Sequence, residues 1–305
     1  MGRAATVAIT GASGLVGSAL ERHLVSQGRT VRRVVRGAPQ RETDIAWDPT
    51  GGTVDASALE GVDAIVHLAG ESVAEGRWTA EKKRRIRESR VLGTRTLVEA
   101  LGSIERRPRS LVSASAIGYY GDRGDEWLDE RSAPGADFLA EVCQAWESEA
   151  QAAEPLGVRV ARARIGIVLS PEGGALAKLL PLFRLGAGGP VADGRHFMSW
   201  ITLRDVVRAL EWLVDSEGSI AHNLVAPAPE RNADFSRALG RVLRRPALLP
   251  APRFALRAVL GEVTGVLVSS QRVHPSALAA GGFEFLDPTL PAALGALLGS
   301  TGVRP

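Results

Sequence analysis

The chain has 305 residues, 45% hydrophobic and 23% charged, with 37 basic against 34 acidic residues for a net charge of +3. This is ordinary globular usage in a chain long enough to bury a core without staples. A single cysteine, Cys143, excludes an intrachain disulfide and a cysteine-rich metal site, and no apolar run reaches the about 18 residues of a membrane-spanning helix.

In chain order, residues 4–10 form a short apolar run with the makings of a buried strand. The opening MGRAATVAIT therefore leaves no room for a cleaved leader, and the expectation is a cytoplasmic protein with no membrane partner. Residues 14–26 read as a helix, 30–35 as a second strand, 44–47 as a short third and 62–68 as another buried strand. A long helix follows over 79–101, a strand over 110–113, a helix over 138–153 and a strand over 158–168. Strands alternating with helices predict βαβ units around a parallel sheet. Beyond about residue 170 the pattern loosens: a glycine-rich loop at 186–194, a helix over 202–214 with Thr202 as its N-cap, a helix over 232–243, and a connector marked by Pro246, Pro250 and Pro252. The expected architecture is α/β: a Rossmann-type doubly wound parallel sheet in residues 1–170. Residues 171–305 would form a small C-terminal α/β part on the substrate side, partly interleaved with the Rossmann core and folded against the C-terminal ends of the strands.

The segment VAITGASGLVG joins the first strand to the first helix through Gly11, Gly14 and Gly17. Gly11 permits the sharp turn, Gly14 lets backbone approach a diphosphate, and Gly17 lets the helix pack closely. The helix N-terminus then offers free N–H groups and a positive dipole end. An NAD-preferring site places an acid about 20 residues further on, against the ribose 2′-hydroxyl. Here the second strand reads TVRRVVRG, no acid lies between Arg29 and Arg41, and Arg36 falls at the strand end, where its planar fork suits a 2′-phosphate. The cofactor expected is NADP or NADPH.

TGASGLVG, HLAGES (67–72) and ESR (88–90) resemble an extended short-chain dehydrogenase/reductase. SASAIGYYGD (113–122), FRLGAGGPVADGRHFMSWI (183–201), HNLVAPAP (222–229) and HPSALAAGGFEF (274–285) narrow the likeness to the atypical, epimerase-like branch, the sugar-nucleotide epimerase family of the YfcH type. The likeness covers nearly the whole chain. It implies that Ser13, Gly14, Leu15 and Val16 line the diphosphate and that Arg36 meets the adenosine phosphate. It further implies that Leu68, Ala69 and Gly70 lie along the cofactor, that Arg90 reaches towards it, and that Val168 lies on the nicotinamide side. A small-molecule substrate, a nucleotide sugar among the candidates, is implied in the same way.

The superfamily's chemistry uses Ser, Tyr and Lys, with Tyr and Lys spaced Y-x-x-x-K so that the lysine charge lowers the phenol pKa. This chain lacks that pair. Its tyrosines are Tyr119 and Tyr120, and the helix that should carry the pair places Leu139 and Cys143 at the two positions. Ser115 matches the family's serine, and Tyr119 is the nearest phenol; these two are the candidate catalytic residues. An unassisted phenol ionises near about 10 and is a poor base at neutral pH. Cys143 reads as small core rather than nucleophile. His196 and Trp200 fall in the segment that shapes the substrate cleft, Trp200 as a core or cleft wall. The five histidines show no ligand spacing, so no metal is expected. All basic residues but Lys82, Lys83 and Lys178 are arginine; the clusters at 82–87 and 241–245 lack interleaved aromatics, which argues against nucleic acid. Two functions stay open: an NADP-dependent oxidoreductase or epimerase-like enzyme with non-standard acid/base residues, and a non-catalytic NADP(H) sensor or partner-binding protein. A homodimer stays open as well.

Overall fold

The structure, a computed structural model, describes residues 3–299. Its strands are β1 Thr6–Thr10, β2 Thr30–Arg36, β3 Ile45–Asp48, β4 Thr53–Val54, β5 Ala64–His67, β6 Ser110–Ala116, β7 Trp127–Leu128, β8 Arg159–Ile165, β9 Ile167–Ser170, β10 Phe197–Met198, β11 Trp200–Thr202, β12 Ala221–Leu224, β13 Glu230–Arg231 and β14 Arg272–Val273. The helices are α1 Leu15–Ser26, α2 Ala56–Leu59, α3 Ala80–Gly102, α4 Phe138–Gln151, α5 Gly174–Arg184, α6 Leu203–Asp215, α7 Asn232–Leu243, α8 Arg253–Leu260, α9 Val263–Val268, α10 Ser276–Ala280 and α11 Leu290–Leu298.

One sheet of eight strands runs in the order β12-β8-β6-β5-β1-β2-β3-β4, parallel except for the β3–β4 pair. The chain winds outwards from β1 in both directions, so the order reverses between β1 and β5. That reversal is the crevice where open α/β sheets bind ligands. Helices cover both faces. Val7 and Ile9 of β1 join Leu20 and Leu24 of α1 and Val206 and Leu210 of α6 in one core layer. Ala8, between them, faces the other layer with Leu97 and Leu101 of α3 and Ala150 of α4. Period-2 alternation thus feeds two cores from one apolar strand.

Residues 158–168 do not form the single strand that their composition predicts. The run breaks at Gly166 into β8, in the main sheet, and β9, which pairs with β11. A Cβ on Gly166 would stand 2.6 Å from Val225 Cγ1 and 2.7 Å from the Ser199 carbonyl, so the break accommodates only glycine. Beyond residue 170, α6 packs beside α1, and β12 closes the sheet edge against β8. Thr202 caps α6, its hydroxyl accepting from Asp205 N. The smaller part gathers α5, α7 and α11 around Phe183, Trp200 and Phe235. Its glycine-rich loop is held by the 249–251 connector, Leu249 N to Gly188 O at 3.2 Å and Ala251 N to Pro190 O at 2.9 Å.

His67, the last residue of β5, fixes the crevice. The Thr94 hydroxyl donates to Arg90 O at 2.6 Å, so it accepts from His67 Nε2–H at 3.0 Å. His67 Nδ1 then accepts from the Thr10 hydroxyl at 2.8 Å, and that oxygen accepts the amides of Leu68 and Ala69 at 3.0 and 3.1 Å. Trp47 and Trp146 present edges to the ring. Burial, then the Arg90 charge, lowers the His67 pKa from 6.5 to about 4. The native state refuses a proton that the unfolded chain accepts. This contribution to stability is therefore present above about pH 6.5 and lost as pH falls towards about 4. In an NMR titration the His67 ring is expected to stay neutral, protonated on Nε2, with its midpoint near about 4; a midpoint at the ordinary 6.5 would contradict this wiring.

Candidate dinucleotide site

The turn between β1 and α1 is shaped by what its glycines cannot accommodate. Gly11 has φ +68°, and a Cβ there would meet Ala69 N and Leu68 C at 3.0 Å. A Cβ on Gly17 would stand 2.2 Å from Gly11 O, so the close packing that Gly17 permits is against the turn's own backbone. Gly14 N donates to Gly11 O at 3.0 Å and caps α1 in extended conformation. The first intrahelical bond runs from Ser18 N to Gly14 O, which leaves the amides of Leu15, Val16 and Gly17 without intrahelical acceptors. The first turn holds no acid, and Ser13 and Gly14 are exposed. Val16 packs into the core behind them, and Leu15 closes against Gly173 of the β9–α5 connection.

Four arginines cluster at the end of β2, and three are committed. Arg32 donates to Thr43 O at 3.2 Å and to Ala58 O. Arg33 grips both oxygens of Glu21 at 2.9 Å, and Arg41 pairs with the same carboxylate at 3.0 Å. Arg36 is exposed, and its side chain makes no hydrogen bond or ion pair among the described residues. Free amides, a cradle that side chains would fill and one uncommitted guanidinium at the second strand's end make a donor set that fits a phosphorylated dinucleotide.

Across the reversal, Leu68 and Ala69 are half-buried and Gly70 is exposed. The Arg90 guanidinium lies against Gly70, its Cζ 3.1 Å from where a Cβ would be. It donates to Glu71 O and Ile86 O at 3.0 Å and lies 5.1 Å from the Trp146 ring. Arg90 thus supports the loop after β5, and its Nε and Nη2 have no protein acceptor among the described residues. Val168 is half-buried on β9, opposite Ile201, and packs on the Rossmann core.

Ser115, near the end of β6, is buried and donates to Glu147 Oε1 at 2.7 Å. Glu147 in turn holds Arg164 two-pronged, Nε at 2.8 Å and Nη2 at 2.9 Å. Arg164 Nη1 reaches the Tyr120 hydroxyl at 3.0 Å, which donates to Asn223 Oδ1 at 2.7 Å. Burial pushes the Tyr120 pKa up to about 12, against the pull of Arg164. The Arg164 guanidinium lies 3.4 Å from the centre of the Tyr119 ring. Tyr119 is half-buried, and its hydroxyl has no partner among the described residues. Glu147, Arg164, Tyr120 and Asn223 escape a sequence reading; the one signal is a pair of charged residues, Glu147 and Arg164, inside otherwise core-forming elements. Leu139 Cβ and Cys143 Sγ approach Gly118, at 3.4 and 4.0 Å from its would-be Cβ. Cys143 is buried, and burial, reinforced by the Glu147 charge, pushes its thiol up to about 11.

Of the two places open to Trp200, core or cleft wall, its side chain takes the core. Trp200 is fully buried in the smaller part's core, and its indole N–H donates to Ala228 O at 3.0 Å, so it offers a ligand nothing. His196 is also buried, with Nε2 unpartnered among the described residues; burial lowers its pKa against Asp193 and Asp122. Among the described residues no group of three or more His, Cys, Asp or Glu is gathered to hold a metal, and no helix is long and apolar enough to cross a membrane.

Comparison with known proteins agrees with this geometry. The model of the NAD-dependent epimerase/dehydratase family matches residues 7–225, and a domain of unknown function, DUF1731, matches residues 251–297. An epimerase family protein of Mycobacterium bovis is 43% identical over 294 residues, covering 95% of this chain and 97% of the other. The crystal structure of human epimerase family protein SDR39U1 (isoform 2) with NADPH superposes with a TM-score of 0.87 at 30% identity, covering 96% of this chain and 99% of that one. A nucleoside-diphosphate sugar epimerase from Corynebacterium glutamicum gives 0.79 at 38% identity, over 98% of this chain and 59% of that one. With a Rossmann sheet, a glycine turn at its reversal and matches of this extent, the chain belongs to the NAD-dependent epimerase/dehydratase family, in its atypical extended short-chain dehydrogenase/reductase branch.

Proposed function

We propose that this chain holds NADP(H) across the β1–β5 crevice and works as an epimerase-like oxidoreductase without the Tyr-x-x-x-Lys pair. The observation that carries the NADP choice is the free guanidinium of Arg36 beside three committed arginines. In this reading the amides of Leu15, Val16 and Gly17, with Ser13 beside them, hold the diphosphate. Leu68, Ala69, Gly70 and Val168 line the cofactor's path, and the unspent nitrogens of Arg90 face the loop beside it. The dinucleotide supplies hydride transfer. Tyr119, its ring set by Arg164 and its hydroxyl free, gives a proton to an oxygen that gains charge in the substrate. The Ser115 proton is engaged by Glu147, so Ser115 meets the substrate as an acceptor, towards a hydroxyl rather than a carbonyl. Leu139 and Cys143 keep water from that face. A nucleotide sugar is the substrate class supported by the C. glutamicum protein, and NADPH as cofactor by the human one.

The apolar pair Leu139 and Cys143, with the thiol raised to about 11, favours a second reading: a protein that binds NADP(H) without turnover and reports redox state. Two experiments separate these. Arg36→Glu replaces the phosphate's partner with a repelling charge. Calorimetry is expected to show NADPH binding weakened by about 3 kcal/mol, roughly a hundredfold, with NADH affinity rising relative to it; unchanged preference refutes the role of Arg36. Tyr119→Phe is expected to leave dinucleotide affinity intact and to slow NADPH oxidation by a panel of ketosugar nucleotides roughly a hundredfold or more. Turnover equal to the parent removes Tyr119 from the chemistry, and no turnover by either protein selects the second reading.

A further inference from the structure

The segment from Arg241 to Gly261 carries five arginines and no acid. It forms the end of α7, the proline connector and α8, and it lies along the loop after α5 through Arg245 Nε to Arg184 O at 3.0 Å and Leu249 N to Gly188 O. Leu185 is 82% exposed, Leu248 79% and Phe254 79%, with Leu249, Val259 and Leu267 also exposed around them. Eight of the thirteen exposed large hydrophobic side chains among the described residues fall in α5 and its C-cap Leu185, this connector, α8 and α9. None of the eight residues of α8 is buried. The helix is held by polar contacts instead: Arg77 to the carbonyls of Ala258 and Val259, and Lys83 to Glu262 just beyond it. The guanidinium groups of Arg184, Arg241, Arg244, Arg253 and Arg257 are exposed and make no ion pair among the described residues.

Apolar side chains are rarely left in water in such numbers on adjoining segments, and here unpaired arginines interleave them in sequence. That combination is complementary to a surface with an apolar interior and an anionic skin. A second copy of the chain would set arginine against arginine. A nucleic acid would leave the leucines and valines wet and find one aromatic ring, Phe254. We propose that this face seats the protein on an anionic lipid bilayer, with Leu248, Leu249 and Phe254 entering the headgroup boundary and the arginines on the phosphates. Nothing spans the bilayer: α8 is a short helix lying in its surface.

Cosedimentation of the full chain with vesicles tests this. Binding is expected to vesicles of phosphatidylcholine with about one-third phosphatidylglycerol, at least roughly tenfold above phosphatidylcholine alone. It should fall steeply between about 0.1 M and about 1 M salt as the charges are screened. Leu248→Glu with Phe254→Glu, and separately Arg253→Glu with Arg257→Glu, should each abolish the excess. All four sites are exposed, so melting temperature and NADPH binding should hold. Equal binding to both vesicle types, or retention by either double variant, overturns the proposal. Two further outcomes also overturn it: binding to duplex DNA without binding to vesicles, and self-association that the Leu248/Phe254 variant abolishes.

Discussion

The site depends on one close approach of backbone to backbone. At the reversal of the sheet, the turn after β1 and the loop after β5 touch at Gly11 and Ala69, with no space for a side chain between them. The Thr10 hydroxyl binds the two segments by accepting the amides of Leu68 and Ala69, while His67 and Thr94 fix the direction of every proton in the chain. A threonine oxygen that accepts twice must donate once, and a neutral imidazole is the acceptor that lets it. Burial that keeps His67 neutral therefore keeps the crevice in register.

Much of this was legible in the sequence because it follows local rules. The strand, glycine turn and helix at 6–26, the alternation of later elements and the cap at Thr202 are each set by a few adjacent residues. What the sequence hid is set by distant ones. The crowding at Gly166 comes from Ser199 and Val225, which are far along the chain. By its motif Trp200 could be core or cleft wall, and the carbonyl that takes its indole N–H lies well along the chain, at Ala228. The short helices α8 and α9, which follow the proline connector, were not predicted at all.

The end of β6 carries a buried electrostatic network. Glu147 and Arg164 form a buried pair whose gain over desolvation depends on satisfying every remaining donor and acceptor. Ser115 and Tyr120 do so. The pair fixes Ser115 as an acceptor and Tyr119 as a plane against the guanidinium, an arrangement of defined polarity. Behind that network, burial keeps the Cys143 thiol protonated at neutral pH.

Arginine is so frequent here that its presence alone carries little meaning; its partners carry more. Arg29 is buried with Glu211 and Asp215, Arg33 and Arg41 share Glu21, Arg95 holds Glu149 and Arg204 holds Asp287. Acids nearly equal bases in number, so the fold can neutralise most arginines within itself. Those it leaves exposed and unpaired beside uncharged backbone or apolar side chains face outward for another reason. Under the proposed function, Arg36 at the end of β2 takes a discrete phosphate. Under the further inference, the arginines from Arg241 to Arg257, set among exposed leucines and a phenylalanine, take an extended amphipathic surface. The same guanidinium chemistry is thus given two meanings by what stands next to it.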